Sequence, residues 1–197
     1  MKKIVIALAA LACASVACAE DKAAPPMSNE QQEMMAAMER VGAVRAEHKQ
    51  LEYFTGNWKA VTTLWMDPKA PPVKSEGTSR NESIFGGRYI ELYYDGNMMG
   101  QPFSGRGVFG FDNLSGRYFS TWMDSMSTGM WLVYGTYDKA ANTYTFKGSM
   151  DDPMKAGAKV PIRQVVRVVD PSHYVFEWNE TRGGKEAKTM QVDYTKL

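Results

Sequence analysis

From Trp58 to the C-terminus the apolar residues recur with a period of two, and this alternation constrains the fold more than any other feature of the chain. Successive side chains of an extended strand point to opposite faces, so a period of two gives one face that can be buried and one that can stay wet. Ten segments carry the pattern: 58–65, 77–85, 88–95, 103–112, 117–124, 130–137, 143–150, 162–169, 173–179 and 188–194. They are dense in Tyr, Phe, Trp, Val and Thr, which suit a pleated, half-buried surface. Between them stand Gly86-Gly87, Asp95-Gly96-Asn97, Asp112-Asn113, Asp138-Lys139, Asp170-Pro171-Ser172 and Gly183-Gly184, residues with turn chemistry. Connections this short make consecutive strands antiparallel neighbours. Closing the sheet removes its edges, so the pattern predicts an all-β fold, a single antiparallel β-barrel of about eight to ten strands over residues 56–197.

Residues 28–55 read as a helical segment ahead of the barrel. Ser28 with Gln31 three residues on has the form of a capping box. Met34, Met38 and Val41 recur at helical spacing and predict a packing face, with a break near Gly42 before the helix resumes towards Leu51. Residues 20–27, with Pro25-Pro26, read as a flexible tether.

The first nineteen residues read as a secretory signal peptide: Lys2 and Lys3, an uninterrupted apolar run over 4–12, and Ala17-Cys18-Ala19 before Glu20. The run is too short to span a membrane and no other segment approaches the required length, so no transmembrane span is expected. The expected location is periplasmic or secreted. The alternative is a lipoprotein anchored through Cys18, although Ser15 stands where such sites usually carry leucine. Both cysteines, Cys13 and Cys18, lie in the leader, so the fold has to stand on its hydrophobic core without a disulfide. Removing the leader takes two lysines and no acid, and the net charge goes from +1 to −1. That balance points to no nucleic-acid partner; the oligomeric state is left open.

Four residues are candidates for holding a small-molecule ligand. Ile90, Leu92 and Tyr94 share one face of a strand, with Arg88 at its end as a clamp for an acidic group at the barrel mouth. Trp122 adds an aromatic face, and Asp124 shares its side of the next strand but one. Phe103, Gly105, Gly107, Phe109 and Phe111 also share a face; the two glycines predict a strand that bends at a barrel corner, or room left for a ligand.

His48-Lys49-Gln50-Leu51, Gly56-Asn57-Trp58, Gly86-Gly87-Arg88, Gly110-Phe111-Asp112-Asn113 and Trp122-Met123-Asp124 follow one another along the chain. This ordered set resembles the bacterial domain of unknown function 1579 family. The Gly-x-Trp at the first strand also resembles the opening of lipocalins and other calycins. The resemblance implies a calycin-like barrel whose Trp58 closes one end beneath a basic side chain, here Lys196 in place of arginine. It implies no established activity.

No catalytic residue set is expected. His48 and His173 have no nucleophile or carboxylate beside them in sequence, and no cofactor is implied. The methionines, fourteen in all, offer soft sulfur ligands of the kind that select copper, with Met123, Met126 and Met130 close together, but without an accompanying histidine or fixed spacing; no metal site is assigned. The expected function is binding of a small apolar or amphipathic ligand in or at the mouth of the barrel. The alternatives are a structural or protein-interaction module of the cell envelope, a Met-rich copper-binding protein, or an enzyme.

Overall fold

The computed structural model describes residues 27–67 and 69–197. The expected signal peptide over 1–19, including Cys13 and Cys18, and most of the tether lie outside the described residues.

Ten strands close into one antiparallel barrel: β1 (Gly56–Leu64), β2 (Val73–Ile84), β3 (Tyr89–Met98), β4 (Gln101–Asp112), β5 (Arg117–Asp124), β6 (Trp131–Asp138), β7 (Thr143–Asp151), β8 (Lys159–Asp170), β9 (His173–Arg182) and β10 (Lys185–Lys196). Each strand pairs with its sequence neighbours, and β1 closes on β10 with Trp58 opposite Lys196 and Leu64 opposite Met190. This up-and-down order follows from the short turns. All ten strands fall where the period-two pattern places them. Positive φ angles at Gly86 (65°) and Gly87 (86°) turn β2 into β3, a conformation that glycine adopts without a Cβ penalty.

Two helices and a 3-10 turn precede the barrel: α1 (Asn29–Gly42), α2 (Ala46–Leu51) and Glu52–Phe54. Ser28 caps α1 as its sequence suggests, accepting from the Gln31 N–H while its own N–H donates to Gln31 Oε1. The Met34, Met38 and Val41 stripe is not a packing face. Met34 and Met38 are 59% and 64% exposed, and α1 buries no residue. The barrel end nearest in sequence is already filled by Leu51, Phe54 and Trp58, each at most 2% exposed, which leaves α1 no apolar surface to cover.

That plugged end is where most of the family-like motifs meet. Trp58 donates from Nε1 to the Phe54 carbonyl at 2.9 Å and lies edge-on to Tyr174. The Lys196 ammonium sits 5.2 Å from the Trp58 ring, so the lysine covers the tryptophan as the calycin resemblance implies. His48, 4% exposed, stands edge-on to Phe111 and accepts at Nδ1 from the Arg45 N–H. Asn113 donates from Nδ2 to the carbonyls of Val41 and Ala43, tying the link between α1 and α2 to the turn after β4. Gln50 accepts from the Tyr118 hydroxyl. These motif residues build the floor of the barrel.

Candidate functional site

The opposite end is open, and behind it the barrel is hollow. A cavity of about 1250 Å³ runs down to Phe54 and Phe109 on the floor, larger than the usual small-molecule pocket. Two features of the sequence keep it empty. The inward positions of β2 are Ser75, Gly77, Ser79 and Asn81, so one strand adds almost no apolar volume to the interior. Elsewhere, large rings lie flat on glycines. A Cβ on Gly77 would come within 2.6 Å of the Tyr94 hydroxyl, and one on Gly105 would overlap the Trp122 six-membered ring. Gly107 lies under the same indole, its notional Cβ 3.1 Å from Trp122 Cε3. At Gly77 and Gly105 a neighbour's aromatic ring thus takes the place of the missing side chain, while at Gly107 the Thr121 backbone carbonyl comes closer still, where the pairing of β4 with β5 is interrupted.

Much of the wall is apolar: Trp122, Trp131, Met150, Val166, Phe176 and Trp178 line it from β5 to β9. The polar groups on the β1–β3 side are largely paired with one another. Thr62 Oγ1 and the Tyr94 hydroxyl share a hydrogen bond at 3.3 Å, and Ser79 Oγ donates to Asn81 Oδ1 at 2.6 Å while Asn81 Nδ2 donates to the Phe54 carbonyl. Tyr174 and Tyr194 stack with centroids 4.4 Å apart, and burial pushes both phenols well up from their ordinary range, so they stay protonated. At the rim two indole donors are held by the carboxylate two residues on, Trp122 by Asp124 and Trp178 by Glu180, both at 3.2 Å. The faces of these rings, with their donors already satisfied, are turned to the cavity.

Of the four candidate residues, Tyr94, Trp122 and Asp124 line this cavity. Arg88 does not join them. It precedes β3 in the turn at the closed end, where its Nη1 donates to the Phe85 carbonyl at 2.9 Å. Strand parity gives the face of a residue but not its height, and Arg88 lies a whole strand length from the mouth. Of Met123, Met126 and Met130 only Met126 reaches the cavity; the lip instead draws methionines from separate loops, Met66 (69% exposed), Met126 and Met154 (86% exposed). Among the described residues no cluster of three His, Cys, Asp or Glu side chains is placed to hold a metal.

Gln164 was missed by sequence reasoning. It occupies an inward position of β8 between Ile162 and Val166, is 5% exposed, and lines the cavity. The signal was a polar residue at inward parity, but Val165, Val168 and Val169 make both faces of that strand apolar and hide which is inner.

A closed up-and-down barrel, plugged by a tryptophan under a basic side chain at one end and hollow at the other, defines a calycin-like protein with an internal cavity. The chain matches the family described as "Protein of unknown function (DUF1579)" over residues 43–196 and belongs to it. The matched segment begins after α1, in keeping with a helix that contributes nothing to the core. Among curated protein sequences none is similar to this chain. A crystal structure of Rv2717c from M. tuberculosis superposes with a TM-score of 0.56 at 12% identity, covering 79% of this chain and 99% of that one. It shares the fold. The EF1p2_mFAP2b protein solved bound to DFHBI (TM-score 0.42, 7% identity, 77% and 100% covered) and a redesigned beta barrel (TM-score 0.39, 11% identity, 79% and 98% covered) are more distant barrels.

Proposed function

We propose that this protein binds a small, largely apolar molecule inside the barrel, admitted through the open end. The observation that carries the reading is the cavity of about 1250 Å³, walled by aromatic and aliphatic side chains with few polar groups. Filling such a void removes apolar surface from water on both partners, at about 25 cal/mol per Å². The exposed methionines of the lip adapt to ligands of different shape. The role is to hold a ligand rather than convert it. In support, His48 packs on Phe111 and His173 opens β9 at the closed end, and neither lines the cavity.

The test is tryptophan fluorescence. Apolar aromatic probes such as pyrene should quench the emission saturably, and Ser120→Phe, which fills the void from β5, should abolish the binding while leaving the fold intact by circular dichroism. Wild-type protein that shows no saturable quenching by any apolar probe sinks the reading.

We place this binding outside the cytoplasm. The leader-like residues Lys2, Lys3 and Ala17-Cys18-Ala19 support that location, and no helix among the described residues is long and apolar enough to cross a membrane. N-terminal sequencing of protein from the native host should give Glu20; a start at Met1 rejects export, and a lipidated Cys18 replaces free export with anchoring.

A further inference from the structure

The charged residues that line the cavity are Asp124, Glu180, Arg182 and Lys188, and all four stand near the open ends of their strands. Both cations are already engaged. Arg182 pairs with Glu180 at 2.8 Å and Asp152 at 3.1 Å, and Lys188 pairs with Glu177 at 3.1 Å. Asp124 is held by the Trp122 indole and the Met126 N–H and by no described cation. An anionic head group at this rim would meet carboxylates whose charge is not spare for it and cations that have none to give. Deeper in, an anion would find no positive partner at all, and a buried unpaired charge is strongly disfavoured.

Below the rim the wall carries one amide side chain, Gln164, that is open to the cavity. Gln164 sits at the middle of β8, opposite Phe146 on one side and Trp178 on the other, and is 95% buried by its 5% exposure. No hydrogen bond joins its side-chain amide to a described residue, although it faces the cavity. The enclosed side-chain atoms without a partner among the described residues are Ser75 Oγ and Asn113 Oδ1, so the Gln164 amide is open to the cavity rather than sealed away, whereas Thr62 with Tyr94 and Ser79 with Asn81 are paired with each other.

Resting on the ligand-binding reading, we propose that the ligand is a neutral molecule: an apolar, ring-sized body with a carbonyl or hydroxyl that pairs with Gln164, and not a carboxylate such as a fatty-acid anion. The amide supplies both a donor and an acceptor, so either group can be met. Selectivity then comes from two sources, the pairing of Gln164 and the exclusion of negative charge.

Pyrene, 1-pyrenemethanol and 1-pyrenecarboxylate differ in the required respects and can be titrated by energy transfer from tryptophan. Pyrenemethanol should bind tightest, and pyrenecarboxylate at least about tenfold more weakly, the effect of an unpaired charge partly hydrated at the mouth. Gln164→Leu should weaken pyrenemethanol about three- to tenfold, the scale of one hydrogen bond, and leave pyrene unchanged. Gln164→Met, which keeps the length of the side chain, should behave alike and guards against a packing defect in the leucine variant. Tightest binding by the carboxylate, or equal losses for pyrene and pyrenemethanol in both variants, overturns the neutral-ligand inference while binding itself stands. Failure of all three probes to bind overturns the ligand-binding reading beneath it.

Discussion

The Trp122 indole lies on the bare Cα of Gly105: a Cβ there would fall 2.7 Å from Cη2 and 2.8 Å from Cε2 of the ring. The two residues are on adjacent strands, β4 and β5, and the ring crosses from one to the other, anchored beyond by its hydrogen bond to Asp124. The glycine therefore decides where the tryptophan goes, and the tryptophan against the wall leaves the centre of the barrel open.

Gly105→Ala should push the indole off the wall and destabilise the protein by about 1–3 kcal/mol, the cost of overpacking. In a Trp122→Ala background the same change should cost under about 0.5 kcal/mol, because the clash has gone. Urea denaturation of the four proteins measures the coupling. Equal costs in both backgrounds would show that the glycine serves the backbone rather than the ring.

Trp58 is fully buried at the closed end, and its removal leaves a void beneath Lys196 and beside Phe54 and Tyr174. Trp58→Ala should cost about 3–5 kcal/mol. Lys196→Ala should cost about 0.5–1 kcal/mol, the scale of a cation–π contact near the surface. A lysine effect as large as that of the tryptophan would mean that its alkyl chain, not its charge, seals the end.

Burial holds the His48 imidazole below its ordinary pKa of 6.5, with the Arg45 N–H using its Nδ1 lone pair. The folded state thus favours neutral histidine, and the contribution is complete above pH 6.5 and lost as pH falls through the lower folded value. The urea midpoint should fall between mildly alkaline and mildly acidic buffer, and less steeply in His48→Gln. Parallel slopes in the two proteins would exclude this group as the source.

Burial also raises the phenols of Tyr53 and Tyr118, each to about 12, and those of Tyr144, Tyr174 and Tyr194 further. An unfolded chain releases these protons near its ordinary value of 10.0, so stability is complete below that pH and declines as pH rises from there towards 12. Denaturation midpoints across this range should drop, and Tyr118→Phe should reduce the slope. A flat profile would mean that these hydroxyls reach solvent in the folded protein.

Period and turn chemistry made the ten strands legible, because alternation and a glycine or aspartate at a tight turn are local properties of the backbone. Alternation also grouped Tyr94 with Ile90 and Leu92 on one face of β3, and Trp122 with Asp124 on one face of β5, and the closed barrel turns both of these faces inward. The Ser28 cap was legible for the same reason, its partners lying three residues apart. Four matters needed the closed barrel. Parity is blind to height along a strand, so the separation of Arg88 from Trp122 depends on which end Leu51, Phe54 and Trp58 fill. The solvent exposure of Met34 and Met38 depends on that same end being full before α1 can reach it. The service of Gly105 to a ring on another strand, and the unpaired amide of Gln164, are relations between residues brought together only by closure. Local sequence determined which face each residue takes, through the fixed geometry of a pleated strand; the tertiary structure decided which faces meet, because packing a barrel couples residues across the interior that no local rule connects.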